Sequence, residues 1–190
     1  MELHKQIKHL FNDKQIRPDA INKYAETAYQ MIDEINSVNP NVVLDLGCGN
    51  NIYKGKIKNL IGIDILDNNL QDVNAPLEDL PYGNNYADVI LALGSINFGD
   101  EDLINKQFKE MLRVSKPGAI IYFRVMPEHN LKPYYPWTIE KVIQKTLEFN
   151  LSYIQEPKFI DRRRRSYLEH DLRTGERSLK RIFCQWKVNK

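Results

Sequence analysis

The sequence predicts an α/β fold in which a mostly parallel sheet is covered by helices on both faces. Three observations lead there. Apolar runs of strand length alternate with stretches of helical spacing along the 190 residues, the pattern of parallel strands joined by crossovers. The run Val42–Leu46 passes straight into Gly47-Cys48-Gly49-Asn50-Asn51, a buried strand breaking into a tight turn whose glycines leave a ligand room to approach. The next run, Leu60–Ile65, carries Asp64 at its end, where α/β folds place a carboxylate against ribose hydroxyls.

The elements follow in order. Leu3, Ile7, Leu10 and Phe11 fall on one side of a short first helix, leaving His4 and His9 on its polar side. Ile21, Tyr24, Ala25, Ala28, Met31, Ile32 and Ile35 repeat at helical spacing after Pro18-Asp19, a start signal for an amphipathic helix over the sheet. Strands are expected at Val42–Leu46, Leu60–Ile65, Val89–Leu93, Ala119–Val125, Leu151–Ile160 and Lys180–Val188, and helices at Glu101–Val114 and Thr138–Phe149. Pro117-Gly118 reads as the stop of the first of these helices. Between Asn50 and Asn59, Gly55 and several poor helix formers predict a short or irregular first crossover.

Composition sets broad limits. An apolar content of 42% over this length suits one domain with a full core. No apolar run reaches membrane-spanning length and the opening Met-Glu-Leu-His-Lys is polar, so a soluble, cytoplasmic protein is expected. Two cysteines, Cys48 in the turn and Cys184 in a late strand, suit a reducing compartment. No Cys/His cluster has metal-ligand spacing, so no metal is expected. From Glu156 onward eleven Lys and Arg face five acids, although the whole chain carries only +2. That basic end raises the question of an anionic partner.

The turn at Gly47–Asn51 narrows the ligand. A dinucleotide turn needs a third glycine at its sixth place, which is Ile52 here. An acid two residues before the first glycine, Asp45, is the other form of the turn. Downstream come Glu78-Asp-Leu-Pro-Tyr82, Tyr86-Ala-Asp-Val-Ile-Leu91, and Glu110-Met-Leu-Arg-Val-Ser-Lys-Pro-Gly118 running into Ala119–Phe123. In this order the motifs resemble the class I S-adenosylmethionine-dependent methyltransferases, in a small, type 11-like branch. The segment Asp72-Val-Asn-Ala-Pro-Leu77 is similar to one found in short members of polysaccharide gene clusters. One departure is Asn51 in place of a third motif glycine, a residue that tolerates left-handed backbone.

The resemblance implies a Rossmann-like three-layer sandwich whose seven-stranded sheet ends in an antiparallel strand. It implies a single methyltransferase domain over residues 1–190, with N-terminal helices over 1–38 and an α/β core over 39–190. S-adenosyl-L-methionine becomes the expected cofactor, held by Asp45, Gly47, Cys48, Gly49, Asn50, Asp64, Ile65, Asp72, Val73, Leu77, Leu93 and Gly94. Within that set Asp64 takes the ribose hydroxyls, Ile65 lies against adenine, and Leu93 and Gly94 lie under the methionine portion. Asp72 accepts from the adenine amino group and Val73 donates from its backbone. A second register puts Leu77 and Glu78 there instead.

The acceptor is less determined. Strand four ends in Leu93-Gly-Ser-Ile-Asn97, without the Asp/Asn-Pro-Pro-aromatic or Pro-Cys motifs that base-modifying enzymes carry there. Methyl transfer depends chiefly on alignment, and a general base is needed only when the acceptor must lose a proton. His129, after strand five, is the candidate catalytic base. Asn97, Tyr134, Tyr135, Arg164 and Arg165 are the candidate substrate-binding residues, with an ordinary loop amide, a packed loop and a solvated charged loop as their plainer readings. These features favour methyl transfer to oxygen or nitrogen of a small anionic or aromatic acceptor. RNA or a nucleotide is the alternative, through Arg162–Arg165, and a non-catalytic cofactor-binding protein is the third reading.

Overall fold

The computed structural model describes residues 2–12, 25–66, 70–127, 133–161 and 180–190. Its elements are α1 (Glu2–Asn12), α2 (Ala25–Ser37), β1 (Val43–Leu46), β2 (Leu60–Asp64), β3 (Val73–Asn74), β4 (Ala87–Leu93), α3 (Glu101–Val114), β5 (Ser115–Val125), α4 (Ile139–Glu148), β6 (Leu151–Asp161) and β7 (Lys180–Val188). The strands form one seven-stranded sheet in the order β3-β2-β1-β4-β5-β7-β6. Neighbours from β3 to β5 pair in parallel. β7 runs antiparallel to both β5 and β6, as the resemblance implied. Chain order reverses between β1 and β4, so the carboxyl ends of those strands form the crevice where an α/β sheet takes its ligand.

Side-chain alternation builds two core layers. Leu44, Leu46, Ile90, Ala92, Phe123 and Trp186 face α3 and α4. Val43, Val89, Leu91, Tyr122 and Phe183 face Met31, Ile32 and Ile35 of α2. In the first layer Phe123 and Trp186 lie 4.7 Å apart and Phe108 meets Phe123 edge-on at 5.6 Å. Both tryptophans are fully buried, and each indole N–H donates: Trp137 to the Ile96 carbonyl at 2.7 Å, Trp186 to Thr146 Oγ1 at 3.0 Å. Those bonds remove the cost of burying the N–H groups.

Helix ends follow local chemistry. Asp100 caps α3 by accepting from the Leu103 N–H at 3.0 Å, and Glu101 and Asp102 in the first turn suit the positive end of the helix dipole. Thr138 caps α4 in the same way at 3.2 Å. α3 has the predicted bounds, Glu101–Val114, and β5 begins at once, so Pro117-Gly118, read as the stop signal, falls three residues past the helix end. The dipeptide lies inside the irregular start of β5, where pairing shifts register between Ala87 and Val89 and Gly118 takes φ +78°. Residues 47–59 form turns with an isolated bridge between Lys54 and Ile57 and contain no helix, so the first crossover goes further than the irregularity predicted.

Candidate active site

The turn after β1 is held from β2. Gly47 and Cys48 donate their N–H groups to the Ile63 carbonyl at 2.7 and 3.0 Å. Gly49 donates to Asp64 Oδ2 at 2.7 Å, and Leu66 donates to Asp64 Oδ1 at 2.8 Å. Each carboxylate oxygen therefore accepts one backbone N–H and keeps a lone pair for a ligand hydroxyl. Gly47 (φ +67°) cannot be exchanged: a Cβ there would collide with the Cβ of Ser95, which follows β4. A Cβ on Gly49 would meet nothing within 4 Å. The backbone thus closes against β4 on one side and stands open on the other. Asn51 adopts φ +53°, the left-handed geometry its residue type allows. Its amide lies over Gly62, where a Cβ would come within 2.6 Å of Asn51 Oδ1.

Charge gathers beneath this turn. Asp45 is 3% exposed and Asp64 7%. Burial pushes the Asp45 carboxyl up to about 7; Arg124 opposes that rise and Asp64 adds to it. Burial likewise pushes the Cys48 thiol up, with the neighbouring aspartates adding to it, so Cys48 stands as a neutral thiol. Asn50 Oδ1, Asn51 Oδ1 and Ser95 Oγ are buried side-chain oxygens without a hydrogen-bond partner among the described residues. They lie in the turn after β1 and the loop after β4. A polar ligand seated there would satisfy such groups. The open side of Gly49, the free lone pairs of Asp64 and these oxygens fit an adenosyl cofactor.

The structure places the remaining cofactor candidates unevenly. Ile65, Leu77, Leu93 and Gly94 all lie at or beyond the carboxyl ends of β2, β3 and β4, with Gly94 at φ +106°. Asp72 and Val73 do not reach that level. β3 pairs Val73 with Ile63 and Asn74 with Asp64, so Asp72 sits two rungs below the tip. Its Oδ2 accepts from Gly62 N–H at 2.8 Å and Asn51 Nδ2 at 3.2 Å, and its Oδ1 accepts from Lys54 at 2.7 Å. Burial pushes this carboxyl up, yet those hydrogen bonds bring it below the ordinary aspartate value. These bonds make Asp72, expected to accept from adenine, an internal tie between the first crossover and β2. Asn74 to Leu77 occupy the carboxyl side instead.

Beyond the carboxyl ends of β4 and β5 two loops are stitched together. Asn97, 2% exposed, donates from Nδ2 to the Gly94 carbonyl at 2.7 Å and accepts on Oδ1 from Met126 N–H at 2.9 Å. Tyr135 N–H donates to the Asn97 carbonyl and Gly99 N–H to the Pro133 carbonyl, both at 2.8 Å. The Tyr135 hydroxyl donates to Glu101, which also receives buried Lys145, and Lys141 lies 4.4 Å over the Tyr135 ring. Asn97 and Tyr135 were expected to meet an acceptor; their polar atoms are instead committed to joining the loops after β4 and β5. Tyr134, half-buried, packs against Phe98 with ring centroids 4.8 Å apart. His129, Arg164 and Arg165 lie outside the described residues. Sequence inspection missed Arg124, Glu101 and Lys145, and it left His4 on a free surface. His4 Nε2 stands 2.7 Å from Glu78 Oε1, and Leu3 packs near Gly99, so α1 spans the loops after β3 and β4. Those partners lie far away in sequence and leave no local signal.

Residues 44–123 match the methyltransferase domain family. The matched stretch runs from β1 into β5 and contains the glycine turn and Asp64. Two solved structures share its fold at low identity. One is N-methyltransferase NodS from Bradyrhizobium japonicum WM9 in complex with S-adenosylhomocysteine, at 13% identity, TM-score 0.71, covering 99% of this chain and 100% of that one. The other is 1,6-didemethyltoxoflavin-N1-methyltransferase from Burkholderia thailandensis, with bound 1,6-didemethyltoxoflavin and S-adenosylhomocysteine, at 12% identity and TM-score 0.69, covering 99% and 88%. The [4+2]-cyclase SpnF is also similar, at 14% identity, TM-score 0.60, covering 86% and 82%. A comparison with curated protein sequences gives no match. No helix among the described residues is long and apolar enough to cross a membrane, and no group of three His, Cys, Asp or Glu among them could hold a metal.

The raised Asp45 gives a pH signature. In the folded chain it keeps its proton up to about pH 7, against an ordinary value of 3.8. Between those values folding takes up a proton, so stability is greatest on the acid side and falls as pH rises. Urea unfolding of the ligand-free protein should lose about 2–3 kcal/mol from this group between pH 5 and pH 8. Asp45→Asn should lack that component; equal pH slopes in the two proteins would contradict the assignment.

Proposed function

We propose that this enzyme transfers a methyl group from S-adenosylmethionine to a nitrogen or oxygen of a small, planar or anionic acceptor. The observation that carries the proposal is the Asp64 carboxylate, which organises the glycine turn and retains a lone pair on each oxygen at the sheet's carboxyl edge. The donor supplies an electrophilic methyl on a sulfonium. Asp64 binds the ribose hydroxyls, Ile65 flanks adenine, and the Asn74–Leu77 segment lines the adenine edge in place of Asp72. Leu93 and Gly94 support the methionine portion.

Asn97 and Tyr135 act as positioning residues. Joined through Gly94, Met126 and Glu101, the loops after β4 and β5 present one wall to the acceptor, with Phe98 and Tyr134 as its aromatic surface. A fixed wall matters because in-line displacement gains roughly 7–11 kcal/mol from alignment. The two N-methyltransferases of similar fold support a small acceptor, since one of them holds a heterocycle of that size. A neutral amine would need no base; His129 is the candidate where a proton must leave.

Isothermal calorimetry with S-adenosylhomocysteine tests the cofactor half. The native chain should bind, and Asp64→Ala should lose roughly 2–4 kcal/mol, a 30- to 1,000-fold weakening; no heat with the native chain would refute the proposal. Asn97→Ala tests the wall. Once an acceptor has been found by tritium transfer from labelled donor into fractionated metabolites, this variant should lower kcat about 10- to 100-fold while leaving cofactor affinity within about threefold. A loss confined to cofactor binding would place Asn97 elsewhere in the account.

A further inference from the structure

We infer that α1 completes the cofactor site as a strap: fastened across the loops after β3 and β4, it closes over the nucleoside end of the bound cofactor and lifts to release it. This rests on the cofactor site proposed above. Two adjacent residues in the first turn of α1 make the fastening. His4 Nε2 stands 2.7 Å from Glu78 Oε1, and Glu78 directly follows the Asn74–Leu77 segment that lines adenine in that reading. On the other loop, a Cβ added at Gly99 would come within 3.2 Å of Leu3 Cδ2 and 2.7 Å of Leu103 Cδ2. Leu3 and Leu103 therefore take up the space that a side chain at Gly99 would need. Gly99 donates its N–H to the Pro133 carbonyl at 2.8 Å, so Leu3 is seated where the loops after β4 and β5 are joined.

The attachment holds α1 without locking it. Leu3, His4, Ile7 and Lys8 are half-buried, while Lys5, Gln6 and His9 are exposed, so one stripe of the helix faces inward. Neither Leu3 nor Ile7 belongs to either core layer, whereas α2 sends Met31, Ile32 and Ile35 into one of them. The His4 and Glu78 side chains keep 34% and 20% of their surface in water, and a pair so placed shifts an equilibrium only about two- to fivefold. An element held by a few partly exposed contacts opens locally at small cost. The turn beneath it is different, since Gly49 and Leu66 tie it to Asp64 through backbone N–H groups. A nucleoside under the stripe buries Leu3 and Ile7 further, and that added apolar burial holds α1 down. Closure is therefore linked to occupancy, and the turn stays in place while the strap moves.

The test is release of tritiated S-adenosylhomocysteine from the full chain, followed after a chase with excess unlabelled ligand. His4→Ala should speed release about two- to fivefold, and adding Glu78→Gln should change nothing further, because the two side chains act as one pair. Leu3→Ser combined with His4→Ala should speed it on the order of tenfold. Both residues lie outside the core layers, so these variants keep the fold. Hydrogen exchange gives a second readout: amides of residues 7–12 should exchange at least about tenfold more slowly with saturating ligand than without, and the Leu3→Ser/His4→Ala variant should lose that protection. Native release rates in both α1 variants, or equal α1 exchange with and without ligand, overturn the inference and leave the cofactor site standing. A further gain in release when Glu78→Gln is added to His4→Ala also overturns it, since that carboxylate then acts on the ligand and not on α1. No binding by the native chain removes both readings.

Discussion

Asp64 is the constraint on which this site depends. Its two oxygens collect N–H groups from Gly49 and Leu66, so one side chain at the tip of β2 fixes both the turn after β1 and its own continuing loop. Without that carboxylate the Gly49 N–H would lose its partner beside a turn already bent through positive φ at Gly47 and Gly49. The turn can be tight because Gly47 and Ser95 leave no space for an extra methyl between them. It can be open because a Cβ added at Gly49 would meet nothing within 4 Å. Ligand space at this edge is thus a product of backbone geometry, set before any side chain contributes.

Beneath the turn, polar groups are deployed in layers. Asp72, Lys54 and Asn51 tie the first crossover to β2 below the tip, which replaces the packing that a helix would normally provide there. Asp45 lies on the rung of Gly62, below the tip, on the face covered by α2. Beyond β4 and β5, Lys145, Glu101 and Tyr135 bind α3, α4 and the loop after β5 into one unit. The buried charge of Lys145 is tolerated because Glu101 and Glu148 pair with it.

Much of this was legible in the sequence because the decisive features are local. A strand, a glycine turn and an acid at the next strand's end are read within about twenty residues. The end of α3 at Val114 was legible, whereas the place of Pro117-Gly118 in an irregular strand start is decided only by pairing with Ala87 and Val89. The level of Asp72 was not legible for a similar reason: the two-residue β3 has no hydrophobic pattern of its own, and its register against Ile63 and Asp64 comes from pairing. Asn97 and Tyr135 carry side chains suited to binding a substrate, but the partners that claim them lie 29 and 34 residues away. Such commitments are invisible until the chain is folded.

The most direct measurement is a crystal structure of the protein grown with S-adenosylhomocysteine. The account predicts the ribose hydroxyls on Asp64, the adenosyl portion over the open side of Gly49, and Asp72 still bound to Gly62 and Lys54. Density for the nucleoside at any other edge of the sheet, or an Asp64 carboxylate facing away from it, would contradict the account.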